Sequence, residues 1–290
     1  MIVEYFMHLL VLIGIYAILA MSLNLAMGFT GLLNIGHIAF YGIGAYTSAL
    51  LVLRLGIPFW FALLLACVVA ALFGLLLSIP TVRLRGDYLA LATLGFAIIF
   101  EAVTKNWISL TKGPLGLAGI PRPAFFGSTF SYMLLVFAFV VITYIFISHL
   151  TKTPFGRVLK AIREDEIVAK ALGKDTTRFK ATALAISAFF AGLAGGLYAH
   201  YISFIDPGTF SIMESILIIS MVIVGGLGSV EGSILGALVL TLLPEPLRFL
   251  PLPSYVIGAS RQIIYALLLV MMLLVRPGGF LGRFVFKRES

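Results

Sequence analysis

Few residues in this 290-residue chain carry side chains able to do chemistry, and those few are grouped. One group is a charged island, Thr151 to Lys180, which holds eight of the 20 Lys and Arg and four of the 12 Asp and Glu. The other is a set of polar residues stranded in apolar runs: Asn24, Asn34, His37 and Glu214. A polar group left unpaired in hydrocarbon costs several kcal/mol, about 2–7 by transfer measurements, so each must face protein, water or a passing ligand. Glu214 is a functional-site candidate because it is ionisable in such a setting. Glu101 has a structural explanation, since Lys105 lies one turn on and an i,i+4 ion pair would satisfy both.

Patterns for catalysis do not emerge. There is no Ser-His-Asp order, no pair of carboxylates and no His-Glu-x-x-His, and His37, His149 and His200 lack the spacing of a helical metal site. Cys67 stands alone, which leaves neither a disulfide framework nor a thiolate metal site. The run Gly225-Gly226-Leu227-Gly228-Ser229 lacks the Gly-Lys-Ser/Thr ending of a phosphate loop and reads as a tight turn between helices. The chain is therefore expected to be no enzyme, binding no cofactor and no metal, and to draw energy from elsewhere.

The elements that must position these groups are membrane helices. Hydrophobic residues make up 61% of the chain and charged ones 11%, and mean hydropathy is +1.12. Soluble domains are roughly half apolar and a quarter charged. Apolar runs of bilayer length recur along the whole chain, which predicts an all-α, polytopic integral membrane helix bundle of about eight to ten spans, nine being the best count. The expected spans are 5–27, 33–53, 59–79, 88–107, 131–150, 180–203, 211–227, 229–243 and 258–275. Glycines crowd 33–53 and 211–243, which predicts short, broken or re-entrant helices there. The first span lacks a basic leader and has full bilayer length, so it is expected to stay as structure.

Net charge is +8 and pI is near 9.7, but the basic residues sit at span ends. They report topology and contact with anionic lipid headgroups, not nucleic acid. Arg83 and Arg85, the island and the basic tail should be cytoplasmic; the N-terminus, the loop with Lys112 and Arg122, and 244–257 should be outside. Within the island, Pro154 and Gly156 are expected to break the chain, followed by one amphipathic helix from Arg157 to Leu172 with Val158, Ile162, Ala169 and Leu172 on its apolar side. Such a helix can rest on lipid or seat in a partner protein. The acidic run Glu164-Asp165-Glu166 favours a groove of complementary charge over an anionic membrane surface.

Three ordered blocks carry a family resemblance. They are Gly156-Arg157-Val158-Leu159-Lys160-Ala161-Ile162-Arg163-Glu164-Asp165-Glu166; Asn24-Leu25-Ala26-Met27-Gly28 with Gly31-Leu32-Leu33-Asn34-Ile35-Gly36-His37; and Gly225-Gly226-Leu227-Gly228-Ser229 with Glu231-Gly232-Ser233. Together they resemble the permease subunits of branched-chain amino acid ABC importers, the LivH/LivM family, and more specifically its LivM type. The Glu231-Gly232-Ser233 turn departs from the more apolar or proline-containing turn expected there.

The resemblance implies a single transmembrane permease domain over 1–290, with 151–180 as its cytoplasmic coupling loop, in a prokaryotic plasma membrane. It implies a second permease subunit of the LivH type, two ATPase subunits that hydrolyse ATP, and a periplasmic or extracellular binding protein. On that footing Arg157, Ile162, Arg163, Glu164 and Asp165 would couple to the ATPases, and Asn24, Asn34, His37 and Glu214 would line the pathway. Leucine, isoleucine and valine are the expected substrates; other amino acids, urea and small amides are the alternatives. An ion-coupled secondary transporter is the rival class, but it commonly needs several buried carboxylates, and Glu214 is nearly alone.

Overall fold

The computed structural model describes residues 2–82, 84, 86–245, 263, 266, 267, 270–272, 274, 276 and 278–282. It is a helix bundle in which, among the described residues, six apolar helices are long enough to cross a membrane. These are α1 (Ile2–Asn24, continued by a π-helical turn Leu25–Phe29), α2 (His37–Leu55), α3 (Phe59–Thr81), α4 (Asp87–Asn106), α6 (Thr129–Lys152) and α9 (Thr176–Ile202). A one-turn helix, α5 (Ile108–Thr111), follows α4. Between α6 and α9 lie α7 (Pro154–Glu164) and α8 (Glu166–Ala171). Two shorter apolar helices, α10 (Ile212–Gly225) and α11 (Val230–Leu242), follow α9. The expected span 258–275 falls largely outside the described residues; those of its residues that are described are helical and mostly exposed.

The long helices divide by burial into a centre and a rim. The apolar windows of α1, α9 and α2 are 83%, 67% and 61% buried, against 28% for α4 and 33% for α6. The rim helices turn aliphatic and aromatic side chains such as Leu91, Ile99, Ile142, Ile145 and Phe146 outward, as lipid-facing helices do. In the centre the helices meet through small residues. A Cβ at Gly44 of α2 would run into the Gly192 carbonyl of α9, so these backbones approach as only glycine permits.

Of the two glycine-rich runs expected to be short or broken, 211–243 is divided into α10 and α11, whereas the first is one unbroken helix from His37 to Leu55 and the break falls ahead of it. After the π turn, Gly31 adopts a left-handed conformation (φ 74°) and the chain doubles back through residues 32–36 without helix before α2 begins at His37. This return segment is held at its far end: Ile35 donates its backbone N–H to Thr93 and accepts from Ser215. The helix α10 has 14 residues, about 21 Å of rise, and falls short of the roughly 30 Å hydrocarbon core. It is preceded by Asp206 and the turn Pro207–Phe210, which Asp206 caps.

The two ends of the body have distinct populations. At one end, Arg163 of α7 meets Gly28, Leu84 and Gly86 adjoin the same cleft, and residues 280–281 donate backbone hydrogen bonds to Val224 and Gly225. At the other, Tyr5 donates to Glu245, His8 pairs with Tyr201, and Leu117–Ala118 forms a two-residue ladder with Phe204–Ile205. Leu84, Gly86 and residues 280–281 thus lie at the island's end of the body, and Tyr5 and His8 lie at the other. Arg122, an exception to the charge pattern, clamps the Tyr201 carbonyl at 2.9 Å and stacks its guanidinium on that ring, so its charge is spent on structure.

Candidate coupling and translocation site

The island folds as two helices, which corrects the single helix expected over 157–172. Pro154 stands at the first helical position, where its missing N–H costs nothing, so α7 begins at Pro154 instead of being broken there. Asp165 leaves helical geometry (φ −156°, ψ 106°) and its carboxylate accepts from the N–H groups of Ile167 (2.8 Å) and Val168 (3.1 Å). That cap ends one helix and starts the next. Leu172, expected on the apolar side, is 72% exposed.

One face of α7 grips the bundle and the other is presented outward. Leu159 and Ile162 are buried, and Phe155 stacks on Phe179 of α9 at 5.3 Å. Arg163, with its side chain 13% exposed, donates to the Gly28 carbonyl at 2.5 Å and lies against Gly31 and Gly228. Burial lowers the affinity of this guanidinium for its proton, and neighbouring Glu164 works the other way. Arg157, Glu164 and Asp165 face outward. Of the five coupling candidates, then, three can meet a partner, while Ile162 and Arg163 join the same helix to the membrane body.

The short helix α8 is fastened by charge. Glu166 receives Lys180 at 2.6 Å, Lys170 at 3.0 Å and Thr176 at 3.0 Å. Burial pushes the Glu166 carboxyl up, but the hydrogen bonds from Lys180, Lys170 and Thr176 outweigh it and hold the group down at about 2, against an ordinary 4.5. A carboxylate with a folded-state pKa below its unfolded value stabilises above the unfolded pKa and loses that contribution as pH falls through the folded one. Amide exchange of residues 166–172 is therefore expected to keep its protection down to about pH 4.5 and to lose it between there and about pH 2. Glu166→Gln should show the loosened state at every pH; equal protection in the two proteins would remove the salt bridge as its cause.

The four pathway candidates separate. Asn24 is a clamp: its Nδ2 donates to the Ser229 carbonyl (2.8 Å), Ser233 Oγ (2.7 Å) and the Gly226 carbonyl (3.3 Å), and its Oδ1 accepts from the Gly228 N–H (2.9 Å). It ties α1 to the turn between α10 and α11. His37 is buried against Ser22 at 2.9 Å, and His200, Ser48 and the Pro121 carbonyl make a similar packed set. Asn34 is 1% exposed, and neither end of its amide has a hydrogen-bond partner among the described residues. Glu214 sits in the first turn of α10, partly exposed, and accepts from Tyr16 of α1. Glu101, by contrast, makes the expected pair with Lys105 at 2.6 Å.

Around Glu214 the structure assembles residues that the sequence reading missed. Tyr41 and Tyr198 approach one another with ring centroids 5.6 Å apart, and Phe210 packs on Tyr41 (5.2 Å), Tyr46 (5.8 Å) and Phe100 (6.2 Å). These tyrosines carry no periodic signal, because tyrosine is ordinary in membrane helices and its partners lie on four different elements. At the opposite end a cleft of about 310 Å³ opens between Met27, Gly28, Leu33, Gly86, Arg163 and Leu227. The guanidinium and the glycine turns are thus accessible together.

A helix bundle with a broken α1–α2 connection, two half-length helices and a docked amphipathic α7 is the setting for comparison with known proteins. Residues 5–276 match the family model described as branched-chain amino acid transport system / permease component. The chain belongs to this permease family. The high-affinity branched-chain amino acid transport system permease protein LivM of Salmonella typhimurium is 39% identical over 92% of this chain and 68% of its own length. Escherichia coli LivH, described as a permease protein of the same kind of system, is 28% identical over 92% of this chain and 91% of its own. The archaeal LivM of Methanocaldococcus jannaschii, described as probable, is 28% identical over 78% of the chain and 76% of its own length. As a member of this permease family the chain is a multi-pass membrane protein.

Proposed function

We propose that this chain is the LivM-type membrane subunit of an ABC importer for leucine, isoleucine and valine, paired with a LivH-type permease. ATPase subunits bind the α7–α8 face, hydrolyse ATP and supply the energy; a binding protein delivers the amino acid at the opposite end. The island end is then cytoplasmic and the N-terminus outside, in agreement with the distribution of Lys and Arg. The observation that carries the reading is the two-faced α7: Arg157, Glu164 and Asp165 point outward while Ile162 and Arg163 hold the bundle. A rigid element gripped by an ATPase on one face and by the glycine turns on the other converts closure of the ATPase into movement of α1, α10 and α11. Asn34 and Glu214 remain the pathway residues, and His37 packs behind them.

The test is ATP-dependent leucine uptake into proteoliposomes that hold this chain with its partner permease, ATPases and binding protein. Uptake that requires ATP and is suppressed by isoleucine and valine is the expected result. ATP hydrolysis without leucine accumulation would keep the importer and move the substrate to another amino acid, urea or a small amide. Uptake driven by an ion gradient alone would overturn the ABC assignment.

A further inference from the structure

The half of the body farthest from α7 contains two carboxylates that nothing above has put to use together. Glu214 accepts from Tyr16, and Asp206 caps the Pro207–Phe210 turn through Gly208 N–H (3.0 Å) and the Thr209 hydroxyl. Tyr198 lies within electrostatic reach of both carboxylates. Tyr41 is within reach of Glu214, and its ring touches those of Tyr198 and Phe210. Tyr16, Tyr198, Asp206, Thr209 and Glu214 are all partly exposed, whereas Tyr41, Tyr46 and Phe210 are buried behind them. The arrangement is an accessible acidic face backed by an aromatic wall.

Two features say what that face lacks. Neither Asp206 nor Glu214 has a Lys, Arg or His partner among the described residues, although Glu101, Glu166 and Asp175 all do. Tyr46, 5% exposed and within electrostatic reach of Asp206, has a hydroxyl with no hydrogen-bond partner among the described residues. A carboxylate partly withdrawn from water is costly without a counter-charge, and a buried hydroxyl without a partner is the exception in folded proteins. A cation completes both. Tyrosine rings also attract cations through their faces, and their hydroxyls can accept from an ammonium.

We infer that Glu214 and Asp206, with Tyr16, Tyr198 and Tyr46, bind the primary ammonium group of the amino acid as it enters the membrane body. The inference rests on the importer reading above and gives its pathway a polarity: the ammonium is read at this end by charge, while the branched side chain slides along the Tyr41 and Phe210 wall. A protonated amine and an inorganic cation share this chemistry, and the experiment separates them.

The test uses the assembled permease pair with its ATPases in nanodiscs, without binding protein, and reads displacement of radiolabelled leucine. Isopentylammonium keeps leucine's branched chain and ammonium but has no carboxylate; isocaproate keeps the chain and carboxylate but has no ammonium. Isopentylammonium is expected to displace leucine at a concentration at least tenfold lower than isocaproate, with exchange of choline for sodium making no difference. Glu214→Gln and Asp206→Asn should each weaken leucine binding at least tenfold. Both keep the shape and the existing acceptor, since the glutamine still receives Tyr16 and the asparagine still caps Gly208, so the loss reports charge. Tyr46→Phe should weaken binding by about threefold. Unchanged binding in the neutral variants, or equal competition by the two analogues, would overturn the ammonium site. Displacement by sodium that disappears in Glu214→Gln would hand the carboxylates to an inorganic cation and overturn it as well. The analogue competition needs only the native chains, so it decides the matter even if a variant fails to assemble. Uptake run in parallel keeps the two readings apart: native transport with no leucine binding sinks the ammonium site, and no native transport sinks the importer reading beneath it.

Discussion

Asn24→Leu is expected to cost about 3–5 kcal/mol of stability and to strip α10 and α11 from α1. The side chain is fully buried and joins α1 to four groups of the 226–229 turn and the first turn of α11: the Gly226 and Ser229 carbonyls, the Gly228 N–H and Ser233 Oγ. Leucine matches the volume but orphans the Gly228 N–H and takes a donor from the Gly226 and Ser229 carbonyls and from Ser233 Oγ, the Gly226 carbonyl keeping only the Ser229 N–H at 3.3 Å. A buried polar group robbed of its partner costs about 1–3 kcal/mol, and several such losses at one site accumulate. Ser233→Ala removes one member of the network and should cost about 1 kcal/mol, because the Ser229 carbonyl keeps Asn24 as a donor. Thermal aggregation of the detergent-purified complex, followed by size exclusion, reads both. If Asn24→Leu melts with the native protein, the amide is not a clamp, and its place as a pathway residue returns.

Arg163→Met is expected to leave ATP hydrolysis running while leucine uptake falls by about ten- to a hundredfold. The guanidinium links α7 to both glycine turns: it bonds the Gly28 carbonyl and lies against Gly228, in different halves of the chain, while the stem of the side chain packs on Gly31. Methionine preserves the apolar stem, so α7 stays seated through Leu159 and Ile162. A hydrogen bond to a charged group contributes about 1.5–3 kcal/mol, and a coupling free energy of about 1–3 kcal/mol corresponds to a 5- to 150-fold effect. Arg163→Lys should recover little, since a single ammonium on a flexible stem lacks the fork that spans two turns. Equal loss of hydrolysis and uptake would mean that Arg163 merely holds the complex together; undiminished uptake would remove it from the transmission.

These two residues also show where reading along the chain succeeds and where it stops. Asn24 and Arg163 are both conspicuous in the sequence, one as an amide in an apolar run and the other as a cation in the island. Their types were informative because the surroundings made them expensive. Their roles were not, because Asn24's partners are about 200 residues away and Arg163's anchor is 135 residues upstream. Glu101 is the opposite case: its partner is one turn away, so spacing was enough.

The sequence by itself determined the solvent and the class of element. A chain this apolar must satisfy its backbone inside helices, and its glycines had to mark the places where helices stop or touch. From the distribution of Lys and Arg it also predicts that the island, the basic loop around residue 84 and the tail belong at one end. Tertiary structure alone decided that the island is two helices hinged at Asp165, that the glycine turns at 28–31 and 226–229 meet beneath α7, and that Tyr16, Tyr41, Tyr198, Asp206 and Glu214 share one face. Helix periodicity specifies which side of a helix a residue occupies, but not which other helix lies there. In a membrane the surrounding lipid is as apolar as the core, so hydrophobicity cannot choose the partner. Close glycine contacts and buried hydrogen bonds choose it, and both are properties of two segments at once.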